Sequence, residues 1–264
     1  MIEIVSVKER TAEMVDTDSL FYIPNGPGCE SMTEKYNWAI KHIILKKKNK
    51  DDLVCFRHQD TELRTARDII EYKLHNLFAD GTVGCAGVIG TIQLESSCTW
   101  WTPNRDVNGS GYIIQGGVRP KKNAKGENLV DAEGKPIMEN FEYPMADHPG
   151  VHDYLATVDG CCMFFPKKVF EDGLRFDESL KEYHFYDCDI CLQILERGLK
   201  VSTIDVTVKH QSSGIPSPNF RELGLVFFKK WDNKVKGQWP ISRLTKFYAY
   251  DEKSADNKWC KDKF

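Results

Sequence analysis

The sequence has no long apolar run and no strong excess of charge of either sign. Its 264 residues contain 36 Lys and Arg against 39 Asp and Glu, a formal net charge of -3. This balance gives no global attraction to nucleic acid or to anionic membranes. Because no apolar run can span a bilayer and no signal peptide opens the sequence, we expect a cytoplasmic protein without a membrane span.

The cysteines lack the spacing of a structural zinc site. The sequence contains 9 of them, an odd number, and several lie in apolar runs, where thiols behave as small hydrophobic side chains. Cys188 and Cys191 form a C-x-x-C pair, but no second pair follows at zinc spacing. We therefore expect a reduced, intracellular protein in which this pair has no metal or redox role.

The order of the predicted elements favours an α/β fold with a mostly parallel central sheet flanked by helices. Residues 2–7, 53–56 and 83–89 have strand patterns, and residues 65–78 have a helical pattern. Ser31 and Glu34 form a capping box that begins an earlier helix. Strands that alternate with helices in this way are typical of a doubly wound sheet. A single final strand is predicted at 199–208, with His210 after its end.

Two segments depart from this pattern. Residues 95–150 are predicted to be an insertion within a domain spanning 1–215, with a hairpin of 111–118 and 137–143 and a role near the acceptor. Trp100 and Trp101 there are either core residues or part of a lid. Residues 216–264 are aromatic and basic, and are predicted to pack on the same domain as a helical and irregular extension. No internal repeat is predicted.

Carboxylates and imidazoles stand beside three predicted core elements. His58 and Asp60 follow the strand at 53–56, Asp187 and Asp189 begin a helix, and His210 follows the final strand. Ligands of open α/β sheets bind beyond the carboxyl ends of strands, and these side chains suit a Mg²⁺- or Mn²⁺-like cation. The structural alternative is that they cap the strands and helices on which they lie.

Several motifs, in order over roughly residues 1–215, resemble those of glycosyltransferases with the GT-A fold. The nearest resemblance is to a family 2-like branch in which His-Gln-Asp replaces Asp-x-Asp. The motifs are Tyr36-Asn37-Trp38-Ala39-Ile40, Phe56-Arg57-His58-Gln59-Asp60-Thr61, Val158-Asp159-Gly160-Cys161, Phe176-Asp177-Glu178, His184-Phe185-Tyr186-Asp187-Cys188-Asp189-Ile190-Cys191-Leu192 and His210-Gln211-Ser212-Ser213-Gly214.

The resemblance implies Mn²⁺ or Mg²⁺ as cofactor and a nucleoside-diphosphate sugar, a UDP-sugar first, as donor. It assigns Asp60 to the metal and the diphosphate, His58 to the donor site, His210 to the metal and Asp187 to the general base. The remaining residues that it assigns to donor binding are Asn37, which faces the nucleotide, Asp159 and Gly160, which line the sugar and acceptor pocket, and Asp189, which supports the helix start or the donor.

The expected function is metal-dependent, inverting transfer of a sugar to an acceptor hydroxyl. The acceptor is either a glycan or small molecule, or a hydroxymethylated pyrimidine in phage DNA, which the clustered lysines and the aromatic, basic C-terminal segment favour. A non-catalytic module that binds nucleotide sugars or glycans is the alternative from another class. The sequence gives no indication of the oligomeric state.

Overall fold

A computed structural model describes residues 1–47, 52–92, 109–148, 150–153, 155–212 and 217–235. Trp100 and Trp101, which carry the predictions of a core pair or a lid, lie outside these ranges. Among the described residues, twelve strands form two six-stranded sheets.

The first sheet has the order β11-β5-β10-β3-β1-β2 and contains the strands predicted at 2–7 and 53–56. The single strand predicted at 83–89 is wrong: residues 83–87 form β5 in this sheet, and the chain enters the second sheet at Ile89. Neighbouring strands run parallel, except β10, which is antiparallel to both β3 and β5. The prediction of a mostly parallel central sheet is therefore confirmed. The strands are β1 (Ile2–Ser6), β2 (Leu20–Ile23), β3 (Leu53–His58), β5 (Val83–Gly87), β10 (Cys162–Pro166) and β11 (Lys200–Thr203).

The second sheet has the order β4-β12-β7-β6-β9, with β8 paired to β7. The antiparallel pairing of β7 with β8 confirms the predicted hairpin. The single strand predicted at 199–208 is wrong: the chain forms β11 in the first sheet and then β12 in the second, so His210 lies within a strand. The strands are β4 (Thr61–Leu63), β6 (Ile89–Thr91), β7 (Gly109–Pro120), β8 (Met138–His148), β9 (Thr157–Val158) and β12 (Val208–Gln211).

The helices pack on these sheets, and the first of them confirms its predicted start. Ser31 Oγ accepts the Glu34 N–H at 3.2 Å, and the Glu34 carboxylate accepts the Ser31 N–H at 2.8 Å. A π-helical turn, Ile40–Ile44, continues this helix. The α-helices are α1 (Met32–Ala39), α2 (Arg67–Phe78), α3 (Lys168–Glu171), α4 (Tyr186–Glu196) and α5 (Phe220–Val235).

The connection between β7 and β8 contains two loops of one form. In each, the Oδ1 atom of Asn123 or Asp131 accepts the backbone N–H groups two and four residues later. Each loop then turns at a glycine with left-handed φ, Gly126 at +82° and Gly134 at +77°.

The hydrophobic core extends from both sheets into the C-terminal helix. Phe56 of β3 and Ile190 of α4 are fully buried, and so are Phe227 and Trp231 of α5. Helix α5 is thus part of the main core rather than an appendage on its surface. None of the helices that the structure describes has the length and hydrophobicity required to cross a bilayer.

Candidate active site

The site lies where the chain passes from the first sheet to the second. Strand β3 ends at His58, and β4 begins at Thr61 after a tight turn that contains Asp60. Strand β12 pairs antiparallel with β4, with His210 opposite Thr61. Three side chains from two distant segments therefore meet, as the sequence predicted for Asp60 and His210.

His58 and His210 lie beside a buried carboxylate oxygen of Asp60 that has no hydrogen-bond partner among the residues that the structure describes. Asp60 Oδ1 lies 3.9 Å from His58 Nδ1 and 3.7 Å from His210 Nε2. These separations exceed hydrogen-bonding distance. Two ligand atoms at about 2.1 Å from one ion lie at most about 4.2 Å apart, so both separations suit a shared cation. On these two separations the residues present fit a divalent metal ion, and the ligand nitrogens of the two histidines lie within 4.8 Å of each other.

His58 is held as a neutral imidazole with a defined orientation. Its Nε2 lies 2.6 Å from Tyr186 Oη, in a hydrogen bond between residues far apart in the chain. Burial, and then the neighbouring His210, lower the pKa of His58 to about 3. Metal-bound histidines commonly bond an oxygen through the second ring nitrogen, which leaves Nδ1 of His58 to face the shared centre.

Gly160 makes room for the tyrosine in this hydrogen bond. A Cβ atom on Gly160 would lie 2.1 Å from Tyr186 Oη, closer than any real contact. The Gly160 N–H also donates to Asp187 Oδ2 at 3.0 Å. Gly160, predicted to line the sugar and acceptor pocket, thus contacts both the residue that orients His58 and the predicted base.

Asp187 lies buried in the first turn of α4. Its second carboxylate oxygen, Oδ1, accepts the Cys188 N–H at 2.8 Å. Burial, and then the charge of nearby Asp159, raise the pKa of Asp187 to about 7, against the opposing effect of its backbone hydrogen bonds. A carboxylate with a pKa near neutrality accepts a proton more readily than an ordinary aspartate does.

Asp159 and Cys161 form a second group with His210, with ligand atoms within 4.8 Å of one another. Asp159 Oδ1 accepts the Cys161 N–H at 2.7 Å. Burial, and then the charge of Asp159, raise the pKa of the Cys161 thiol well above its ordinary value. Since a metal ligand must be a thiolate, this group is the weaker candidate for a cation.

The structure does not bring Asn37 and Asp189 into the cluster of Asp60 and the two histidines. Asn37 Nδ2 donates to the Phe176 carbonyl at 2.8 Å and to Glu178 at 2.9 Å. Asp189 is fully buried, and its carboxylate binds side chains of α4 and α5. Both side chains are therefore used in holding segments of the fold together, and their predicted roles in donor binding stay predictions.

Sequence reasoning missed Tyr186 and Cys161 as members of the site. Cys161 lies in an apolar run that is typical of core, and its neighbours in the cluster come from other elements. Tyr186 precedes the predicted base, but its contact with His58 joins α4 to the end of β3. In the sequence, Tyr186 is marked only by its position next to Asp187, and that position does not indicate a contact with His58.

A cavity of about 440 Å³ lies at the carboxyl ends of β1 and β2. Ser6, which lines it, is the direct lateral partner of His58 in the sheet. The cavity therefore begins one strand spacing, about 4.8 Å, from the strand that carries His58. Polar groups in its wall include Asn25, Ser179 and Asn219, and α5 contributes Leu223.

Comparison with known proteins gives the family. The model of the glycosyltransferase-like family matches residues 19–222, a range that contains every residue of the cluster. The chain therefore belongs to this family, which confirms the expectation of a glycosyltransferase with an α/β fold. A search of curated proteins found no match.

A solved structure also matches. The crystal structure of GalNAc-T7 with UDP, GalNAc and Mn²⁺ aligns over 98% of this chain and 50% of that chain, at 12% identity and a TM-score of 0.45. The chain thus spans half the length of that protein.

Proposed function

We propose that the chain is a metal-dependent, inverting GT-A glycosyltransferase that moves a sugar from a UDP-sugar to an acceptor hydroxyl. The observation that carries this proposal is the convergence of His58 and His210 on an Asp60 carboxylate oxygen that has no hydrogen-bond partner in the described part of the chain. Asp187, a buried carboxylate with a pKa of about 7, lies in the same region, because its backbone partner Gly160 adjoins the Tyr186 hydroxyl that contacts His58.

The donor side combines the cluster and the cavity. Asp60 and His210, with His58 as a third ligand, would hold Mn²⁺ or Mg²⁺, and mixed imidazole and carboxylate ligands suit Mn²⁺ well. A divalent cation held there would neutralise negative charge on the departing diphosphate. The cavity beside Ser6 has the polar wall and the volume of a small-ligand site, and we assign it to the nucleoside.

Asp187 is assigned to the acceptor side. Its carboxylate accepts the proton of the acceptor hydroxyl while that oxygen attacks the anomeric carbon from the face opposite the diphosphate. The bond to the diphosphate breaks in the same displacement, so the configuration at the anomeric carbon inverts. The N–H groups of Gly160 and Cys188 fix the orientation of the carboxylate throughout.

Replacement of Asp187 by Asn tests the assignment of the base. We expect transfer to fall by about 10²- to 10⁴-fold, because the amide cannot accept the proton. Binding of UDP with Mn²⁺, measured by calorimetry, is expected to stay near that of the wild type. Asp68→Asn, an exposed carboxylate on α2, serves as control. Transfer by Asp187→Asn at a near-normal rate would remove this residue as the base.

Hydrolysis of UDP-sugars without an acceptor separates an enzyme from a non-catalytic binding module. Slow release of UDP that requires Mn²⁺ and disappears in His210→Ala supports an enzyme. Binding of UDP with Mn²⁺ but no hydrolysis and no transfer to any acceptor supports the binding module.

For the acceptor, we propose a glycan or small sugar rather than DNA. Lysines and arginines cluster in residues 46–48, 119–125 and 229–236. Two of these cations are already paired: Lys230 with Asp177 and Asp189, and Arg119 with Glu139. Paired cations contribute less to phosphate binding than free ones. Transfer to hydroxymethylated duplex DNA that falls steeply with salt would instead identify DNA as the acceptor.

A further inference from the structure

One row of the second sheet connects the cluster to an exposed aromatic side chain. His210 of β12 is the lateral partner of Gln115 in β7, and Gln115 is the partner of Tyr143 in β8. Lateral partners project to the same face of a sheet. Tyr143 therefore lies on the face that carries His210, two strands away, at a distance of about 10 Å.

Contacts on the opposite face confirm this alternation. Lys209 and Glu142, the neighbours of His210 and Tyr143 in sequence, form an ion pair with each other. A Cβ on Gly116 would lie 3.2 Å from the side chain of Lys209, so Gly116 also faces that side. The two faces of β7 and β8 are thus distinct, and the cluster shares its face with Tyr143.

The shared face passes from core to solvent at Tyr143. Ile113 and Met145, one step closer to the centre of the molecule, pack in or against the hydrophobic core. Tyr143 is 47% exposed, and its ring is stacked with Phe141 at a centroid distance of 5.8 Å and an interplanar angle of 16°. Phe141 lies over Gly117, where the absence of a side chain leaves room for the ring.

We infer that Tyr143 and Phe141 form a platform on which a neutral pyranose ring of the acceptor stacks. One face of a pyranose presents C–H groups that pack on an aromatic ring, while its hydroxyls remain directed to water or to polar neighbours. The assignment of this platform to the acceptor rests on the proposed function. The rings lie about 10 Å from His210, so an acceptor bound on them could also reach the cluster of His58, Asp60 and His210.

The charges beside the rings select a neutral ligand. Arg119 lies 5.1 Å from the centroid of the Phe141 ring, but its guanidinium is paired with Glu139 at 2.9 Å. Lys209, on the opposite face, is paired with Glu142. A polyanion requires cations that are free to contact its phosphates. Paired charges around two aromatic rings favour a sugar over a nucleic acid.

Saturation-transfer NMR on the full chain tests the platform, with the methyl β-glycosides of glucose, galactose and N-acetylglucosamine as probes and with oligothymidylate as the rival. We expect at least one glycoside to bind the wild type. Tyr143→Ala is expected to weaken that binding by roughly 3- to 10-fold, on the scale of one aromatic contact. Tyr143→Phe is expected to retain it, since the ring rather than the hydroxyl provides the contact.

Two control variants are expected to bind glycosides as the wild type does: Tyr72→Ala, an exposed tyrosine on α2, and Val118→Ala, on the opposite face of β7. Unchanged glycoside binding by Tyr143→Ala, no binding by the wild type, or Tyr143-dependent binding of oligothymidylate alone would each overturn the inference. Binding of UDP with Mn²⁺ is measured in parallel. If the wild type does not bind UDP with Mn²⁺, the proposed donor site is refuted. Tyr143-dependent glycoside binding would in that case still support the platform.

Discussion

Gly160 contacts both the predicted base, Asp187, and the tyrosine that orients His58. Its N–H holds the Asp187 carboxylate, and the space beside its Cα admits the Tyr186 hydroxyl. No left-handed backbone requires glycine here, so the constraint is close approach alone. The sequence predicted that Gly160 lines the pocket, but the two side chains that constrain it were not predictable from local pattern.

Gly160→Ala is therefore expected to disturb the cluster. The added methyl group must displace Tyr186, which removes the hydrogen bond to His58, and we expect Mn²⁺ affinity to fall by about 10- to 100-fold. Overpacking is expected to lower the free energy of unfolding by about 1–3 kcal/mol. Gly26→Ala is the matched control, because nothing lies within 4 Å of its Cβ position. Wild-type Mn²⁺ affinity in Gly160→Ala would contradict the role of Tyr186.

The pKa of Asp187 predicts how activity depends on pH. Only the carboxylate accepts a proton, so kcat/KM is expected to rise about tenfold per pH unit below 7 and to level off above it. The contribution of Asp187 to the free energy of unfolding depends on pH in the opposite sense. Because the folded-state pKa of about 7 exceeds the ordinary value of 3.8, the folded state retains a proton between these values that the unfolded state releases. The contribution of this group to stability is therefore lost as pH rises through 7. A pH profile of kcat/KM that stays flat between pH 5.5 and 8.5 would contradict the assignment.

At the scale of elements, helix α5 holds the start of α4 in place. Phe185, which precedes α4, has a left-handed φ of 63°, a conformation that is unfavourable for a bulky side chain. Its ring packs on Phe220 and Phe227 of α5, at centroid distances of 4.8 Å and 5.5 Å. The packing against α5 therefore maintains the strained turn from which Asp187 projects.

Polar contacts reinforce this packing at the buried carboxylate of Asp189. Trp231 Nε1 donates to Asp189 Oδ1 at 2.7 Å, and Lys230 Nζ lies 2.7 Å from the same oxygen. Lys230 also contacts Asp177 at 2.6 Å. These contacts join α4 to α5, and the predicted role of Asp189 at the helix start or the donor stays a prediction.

Lys230→Met is expected to destabilise the protein, because it leaves the buried carboxylate of Asp189 without its cation. We expect a loss of about 1–3 kcal/mol in the free energy of unfolding, below the value for a fully buried pair since Lys230 is partly exposed. Lys229→Met, at the adjacent exposed position of α5, is the control and is expected to change stability by less than about 0.5 kcal/mol. Equal denaturation midpoints for the two variants would show that Lys230 does not neutralise Asp189.

The sequence predicted those helices and strands that can be recognised from a few consecutive residues. The capping box of Ser31 and the apolar strand before His58 are of this kind, and both are confirmed. The division of residues 199–208 between two sheets was not predictable, because periodicity reports burial and not the sheet that a strand joins. Likewise, the convergence of His210 with Asp60 followed from resemblance, whereas the contact of Tyr186 with His58 follows only from the fold.

For the whole molecule, the predicted division at 215 and 216 separates segments that share one core. Leu223, Phe227 and Trp231 of α5 are buried in the same cluster as the strands of the first sheet. The Leu223 side chain also lines the cavity assigned to the nucleoside. The C-terminal helix is thus needed both for the core and for the wall of the proposed donor site, and the division into two regions stays a prediction.

The proposed metal site would join the two sheets, and this predicts a global effect of cation binding. His58 ends a strand of the first sheet, whereas His210 belongs to the second, so a bound cation links both. A ligand that binds only the folded state adds about 2.7 kcal/mol at 100 times its dissociation constant. We expect Mn²⁺ to raise the melting temperature by roughly 5–10 °C for a chain of this size.

His210→Ala is expected to abolish the Mn²⁺-dependent shift, whereas His75→Ala, an exposed histidine on α2, is expected to preserve it. Differential scanning fluorimetry with Mn²⁺, with Mg²⁺ and with EDTA measures the effect. A shift of equal size in His210→Ala and the wild type would place the cation elsewhere. The proposed donor site would then lose the ligand set on which it depends.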